Sequence, residues 1–161
     1  MKKTVLTLAL LFTIVTSAQE RVSVSLHQDL KLAFIGDNKS YEAGTIDVIL
    51  RLKMQGNQQK HGYMVVMPEF EYAELIGIYR RYSANIGYTF NTIVKDFEAS
   101  LGGGYGFIDR FDKSMSSFNG YAELSYKIND RFKVSLLSQF TERKDIELWR
   151  YSGFIGLEIN L

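Results

Sequence analysis

The chain has 161 residues, with 19 basic residues against 18 acidic ones, one proline, one tryptophan and no cysteine. That length suits one domain, and the near-neutral balance argues against a nucleic-acid surface. With no disulfide available, an exported domain of this composition must be held by its core, its solvent or its topology, which excludes a staple-dense secreted scaffold.

Residues 1–18 read as a secretory signal peptide. Lys2 and Lys3 form a basic start, Val5 to Val15 an apolar run, and Thr16-Ser17-Ala18 a small-residue cleavage site before Gln19. The apolar run is too short for a membrane-spanning helix. Losing the leader removes two lysines, so 17 basic residues face 18 acidic ones and the mature chain carries a formal −1.

From Val22 onward apolar residues recur at a spacing of two, the period of a strand. Val22, Val24, Leu26, Leu30, Leu32 and Phe34 alternate with Ser23, Ser25, His27, Asp29 and Lys31, which predicts one long first strand. Gly36 to Ser40 is a turn cluster. Then Val48, Leu50, Leu52 and Met54 oppose Asp47, Ile49, Arg51 and Lys53, and after Gly56 to Gln59 a third strand sets Met64, Val66, Phe70 and Tyr72 against Val65, Met67, Glu69 and Glu71. Pro68 cannot donate to a ladder, so a bulge is expected there.

The fourth strand runs from Arg81 to Phe90 and the fifth from Phe97 to Phe107. Its glycines at 102, 103 and 104 lack the Lys-Ser/Thr of a phosphate loop and read as a tightly curved strand. After a loop at Asp109 to Lys113, the sixth strand spans Phe118 to Ile128. Asn129-Asp130 makes a turn, Phe132 to Thr141 is the seventh strand, and Tyr151 to Leu161 the eighth. Eight strands, each roughly 10 to 14 residues long and joined by short connections, are the pattern of an all-β, up-and-down antiparallel barrel.

One face of this barrel is apolar. The other carries Asp29, Asp47, Glu69, Glu71, Glu98, Glu123 and Glu158 against Lys31, Arg51, Lys53, Arg81, Lys127, Lys133 and Arg150. An eight-stranded interior is only just wide enough to be filled by side chains, so the many large apolar groups are expected outside, facing lipid. The charges would then pair inside, as buried charge requires. Strand length suits a bilayer crossed at a tilt, and aromatics near strand ends, from Phe34 and Tyr88 to Phe140 and Trp149, fall where interfacial belts would lie. The expected lumen network is Asp29, Lys31, Asp47, Arg51, Glu69, Glu71, Arg81, Glu98, Glu123 and Arg150.

With its leader, its eight alternating strands and apolar residues at 155, 157, 159 and 161, the sequence resembles the small bacterial outer-membrane β-barrel proteins of the OmpA and OmpX types. The cleavage region is similar to leaders of Bacteroidota. Leu161 stands where that family usually ends on an aromatic residue. The resemblance implies a transmembrane barrel in the outer membrane, with lipid bilayer, lipopolysaccharide and the barrel-assembly machinery as partners, no nucleic acid and no cofactor. It also implies short outward loops near residues 36–42, 75–78, 108–114 and 142–147.

A structural or interaction role without catalysis is the expected function. A narrow pore among the glycines at 102, 104, 106 and 156, a lipid A-modifying enzyme built on His27, and a soluble periplasmic lipocalin-like barrel are the alternatives. A hydrolase needs Ser, His and a carboxylate converging in one geometry; His27 on the polar face is equally accounted for as a member of the lumen network. His61 lacks the neighbours of a metal site, and Glu142 to Asp145 reads as a solvated loop.

Overall fold

A computed structural model describes residues 21–36, 42–75, 77–92 and 94–161; the leader expected over residues 1–18 lies outside them. The strands are β1 (Arg21–Asp29), β2 (Asp47–Gln55), β3 (Gly62–Ala73), β4 (Tyr79–Phe90), β5 (Phe97–Arg110), β6 (Lys113–Lys127), β7 (Phe132–Arg143) and β8 (Leu148–Asn160). Each pairs antiparallel with its neighbour in sequence. β8 returns to β1, with Leu26 opposite Leu157, and closes the barrel. Closure gives each strand a partner on both sides through the middle of the barrel.

Period two decides which face each residue takes. Leu26, Leu50, Ile86, Leu101, Leu124, Leu136, Ile155 and Leu157 point outward, Leu101 at 57% exposure, while Arg51 and His27 are fully buried. Aromatic pairs form two bands on the outside. Phe97 with Tyr126 and Tyr88 with Phe90 ring the end that holds Arg21 and Leu161. Phe70 with Tyr82, Tyr105 with Phe107 and Phe118, and Phe140 stacked on Trp149 ring the opposite end, called here the outer end.

The first strand is shorter than its alternation predicts. β1 stops at Asp29, and Leu30–Phe34 form a short helix, α1. The Asp29 carboxylate accepts a hydrogen bond from the Leu32 backbone N–H at 2.8 Å, which caps the helix start. Leu-Lys-Leu-Ala is a run of good helix formers. The capped turn tucks Leu32, fully buried, among Ala73, Leu75, Tyr79 and Ile108 at the outer mouth. Alternation of Leu30, Leu32 and Phe34 suited a strand, but the cap and the apolar mouth favour a helix.

Pro68 makes no bulge. The β2–β3 register is the same on both sides of it, Arg51 opposite Glu69 and Met54 opposite Val66, so no residue is inserted. The ladder simply omits the pairs at Leu52 and Lys53, which is where a missing N–H is tolerated. The loop expected over residues 108–114 also contracts: Arg110 pairs with Lys113, and the turn is Phe111 and Asp112 alone, both at positive φ (53° and 57°). That is the backbone of a tight two-residue hairpin.

Candidate functional site

The interior combines apolar clusters with a chain of charges. Arg51 Nε donates to Glu69 at 2.6 Å and Arg81 Nη1 donates to the other oxygen of Glu69 at 2.7 Å. Arg51 Nη1 also reaches Glu123 at 3.3 Å, Lys53 Nζ donates to Glu123 at 2.8 Å and to Glu158, and Lys133 Nζ bridges Glu158 at 3.3 Å to Glu98 at 2.7 Å. Signs therefore alternate without a break from Arg81 through Glu69, Arg51, Glu123, Lys53 and Glu158 to Lys133 and Glu98. Along this run each cation has a carboxylate beside it, the condition under which charge can stay out of water.

The network draws neutral groups in. Gln139 and Ser83 donate to Glu69, Tyr63 Oη donates to Glu98 at 3.0 Å, and Arg81 also donates to Asn119, which donates in turn to Asn85. Between these lie Ile49, Tyr63, Val65, Met67, Tyr121, Leu137 and Phe154, a buried apolar cluster on the face expected to be polar. Arg51 sits over the Tyr121 ring at 5.1 Å, a cation–π contact.

Of the residues expected in the lumen, Arg51, Glu69, Glu71, Arg81, Glu98 and Glu123 are brought together in the network, Glu71 lying 3.6 Å from Arg81. Asp29 and Asp47 are buried near the outer mouth, outside that chain of ion pairs. Lys31 is not in the lumen: α1 turns its side chain to the surface. Arg150 is half-buried at the mouth and makes no ion pair among the described residues. Asn85, Asn119 and Gln139 carried no signal beyond being polar at inward positions, and sequence reasoning missed them.

The 142–147 segment also differs from a solvated loop. Arg143 donates to Asp145 through Nε at 2.8 Å and Nη2 at 2.7 Å, and Arg110 Nη1 donates to the same carboxylate at 2.7 Å. The Asp145 side chain is 1% exposed. Burial alone would raise its carboxyl, but the bonds from Arg143 and Arg110 outweigh burial and hold it below the usual range. Arg143 also stacks over Tyr79 at 4.0 Å, which ties this loop to the mouth beneath α1.

His27 cannot complete a triad. Its Nε2 meets Ser135 Oγ at 2.8 Å and lies 3.5 Å from Glu123, whereas Nδ1 has no hydrogen-bond partner among the described residues. A proton relay needs nucleophile and acid on opposite ring nitrogens; here both share one. The inward glycines leave no gap either. A Cβ on Gly102 would lie 2.6 Å from the Tyr121 ring, one on Gly104 would lie 2.1 Å from Asn85, and one on Gly156 would lie 2.2 Å from His27. Larger neighbours lean into the space the glycines release. Among the described residues no three His, Cys, Asp or Glu side chains are grouped to hold a metal.

A closed, antiparallel, eight-stranded up-and-down barrel with charges inside and aliphatic residues outside has the architecture of the transmembrane β-barrels. No family model and no curated protein matches the sequence, but solved structures match the fold. Ail, an outer-membrane protein of Yersinia pestis seen in a phospholipid nanodisc, is similar with a TM-score of 0.59 and 13% identity, over 88% of this chain and 99% of Ail. The N-terminal barrel domain of Pseudomonas aeruginosa OprF gives 0.58 and 14%, over 89% and 98%. A de novo designed transmembrane β-barrel gives 0.51 and 12%, over 89% and 96%. The chain thus has the fold of the small bacterial outer-membrane barrels.

Proposed function

We propose that this chain is an integral outer-membrane protein, exported by a cleavable leader over residues 1–18, whose role is structural or interaction-mediating rather than catalytic. One observation carries the reading: aliphatic side chains on every strand face outward between two aromatic bands, while a network of paired ions fills the centre. This is the reverse of a soluble ligand-binding barrel, whose interior is apolar. Outward-facing Leu101, Leu136 and Ile155 in water would form an apolar surface far larger than a soluble monomer carries.

In this reading the bilayer and lipopolysaccharide surround the barrel, and the barrel-assembly machinery inserts it. Three outer-end connections are short, with 74–78, 111–112 and 144–147 between strands, whereas residues 30–46 between β1 and β2 are longer and carry α1. The shared nitrogen of His27 supplies no support for lipid A chemistry.

Cell fractionation with gel migration tests the proposal. The mature protein is expected in the outer-membrane fraction, running faster unheated than boiled in detergent. Recovery as a free periplasmic protein with a single mobility would overturn it.

A further inference from the structure

At the outer end two described strands run past a neighbour: Lys113 to Phe118 of β6 lie beyond the β6–β7 ladder, and β8 runs beyond β1. β8 stays paired with β7 along its whole length, to Leu148 opposite Arg143, but its pairing with β1 ends where Asp29 meets Phe154. Continued in register, β1 would set Leu30 beside Gly153 and Lys31 beside Ser152; the capped helix α1 turns away instead. Residues Leu148 to Gly153 therefore have a strand on one side only, and among the described residues their backbone groups make no further hydrogen bond. Six residues of strand make a notch roughly 20 Å long.

A cavity of about 830 Å³ fills this notch. Its outward wall is apolar and aromatic, with Trp149 and Tyr151 at 50% and 68% exposure. A Cβ built on Gly153, which alternates with Tyr151 and Ile155 on the outer face, meets nothing within 4 Å. Toward the mouth the charged lining is Lys31, Arg110, Arg143 and Arg150 against Asp29. Asp145 holds Arg110 and Arg143, and Asp29 caps α1. Asp47 and Glu71 are buried at the same end, Glu71 lying 3.6 Å from Arg81, and Lys31 and Arg150 form no ion pair among the described residues.

The geometry points to a binding site for one anionic, phosphate-bearing membrane lipid, its headgroup between Lys31 and Arg150 and an acyl chain laid over Tyr151 and Gly153. Two mouth-side cations without an ion pair among the described residues, Lys31 and Arg150, together with an apolar wall on the bilayer side select an amphiphile. An extended peptide added to the β8 edge would leave those cations unanswered, and free phosphate would leave the aromatic wall uncovered. The inference rests on the membrane residence proposed above.

Trp149 is the only tryptophan in the chain, so its fluorescence reports on the notch directly. The barrel, purified from the outer membrane, is reconstituted in phosphatidylcholine nanodiscs containing a small fraction of brominated lipid, either phosphatidylcholine or phosphatidic acid. Brominated phosphatidic acid is expected to compete for Trp149 about five- to tenfold better, the scale of two partly exposed charge pairs. The double variant Lys31→Gln/Arg150→Gln should equalise the two lipids. Gly153→Leu should weaken quenching by both while leaving their ratio above one. Should the double variant fail to fold, Lys31→Gln alone, on the exposed helix, is expected to reduce the preference. Equal quenching in the natural protein, a preference that survives in the variants, or displacement of the lipid by millimolar inorganic phosphate would each overturn the site. Failure to recover the barrel from the outer membrane would instead remove the reading beneath it.

Discussion

Four donors converge on the Glu69 carboxylate: Arg51, Arg81, Gln139 and Ser83. Both arginines are fully buried, so removing the shared anion strands positive charge in a medium that cannot solvate it. Glu69→Ala is expected to destabilise the folded barrel by about 3 to 5 kcal/mol, the usual cost of breaking a buried pair from one side. Urea unfolding of the refolded protein in detergent measures this, and an unchanged midpoint would mean that water reaches the lumen centre. Asp145 makes a pH-dependent case outside the bilayer. Its folded carboxyl is held low by Arg143 and Arg110 against the effect of burial. A depressed acid stabilises the fold above its unfolded value of about 3.9, and that stabilisation is lost as pH falls through the folded value. Stability should therefore drop below about pH 4, and Asp145→Asn should flatten that part of the profile while lowering the neutral-pH midpoint. A profile identical to the natural protein's would show that the two arginines do not depend on this carboxylate.

The element that departs most from its sequence pattern is α1. Leu30, Leu32 and Phe34 obey the same alternation as β1, and parity alone cannot distinguish a continued strand from a short helix of five residues. What decides is local and tertiary together: the Asp29 cap and the buried seat for Leu32 among Tyr79, Ala73 and Ile108. Asp29→Ala should cost about 1 kcal/mol through the lost cap and speed amide exchange at Leu32 with little change in the strands. Unaltered exchange at Leu32 would mean that packing alone holds α1. Lys31 follows from the same event, since the turn that starts after Asp29 carries it to the surface. Pro68 teaches the converse. Its missing N–H is tolerated because the β2–β3 ladder skips the pairs beside it, not because a residue is added.

At the level of the whole barrel, lumen and bilayer surfaces are two readings of one alternation. Eight strands enclose little space, and here charged, aromatic and aliphatic side chains occupy it, with His27, Asn85 and Tyr121 leaning over the inward glycines. In planar bilayers the purified protein is expected to show no discrete conductance steps. Regular channel-sized openings would mean that the ion network parts, which the alternating charges resist.

The sequence by itself determined the strand count, the direction of the chain at each turn and the face of each charge that lies within a strand, because a period of two is written locally and read without knowing any neighbour. Only the tertiary structure decided which charges meet. Arg51 finds Glu123 and Lys53 finds Glu158 across the lumen from distant strands, and parity says nothing about distance around a ring. The same holds for Ile49, Met67 and Leu137, which period two placed on the inner face but which only closure packs together. It holds also for the gap beside Leu148 to Gly153, which exists because β1 ends early in space while β8, far along the chain, does not.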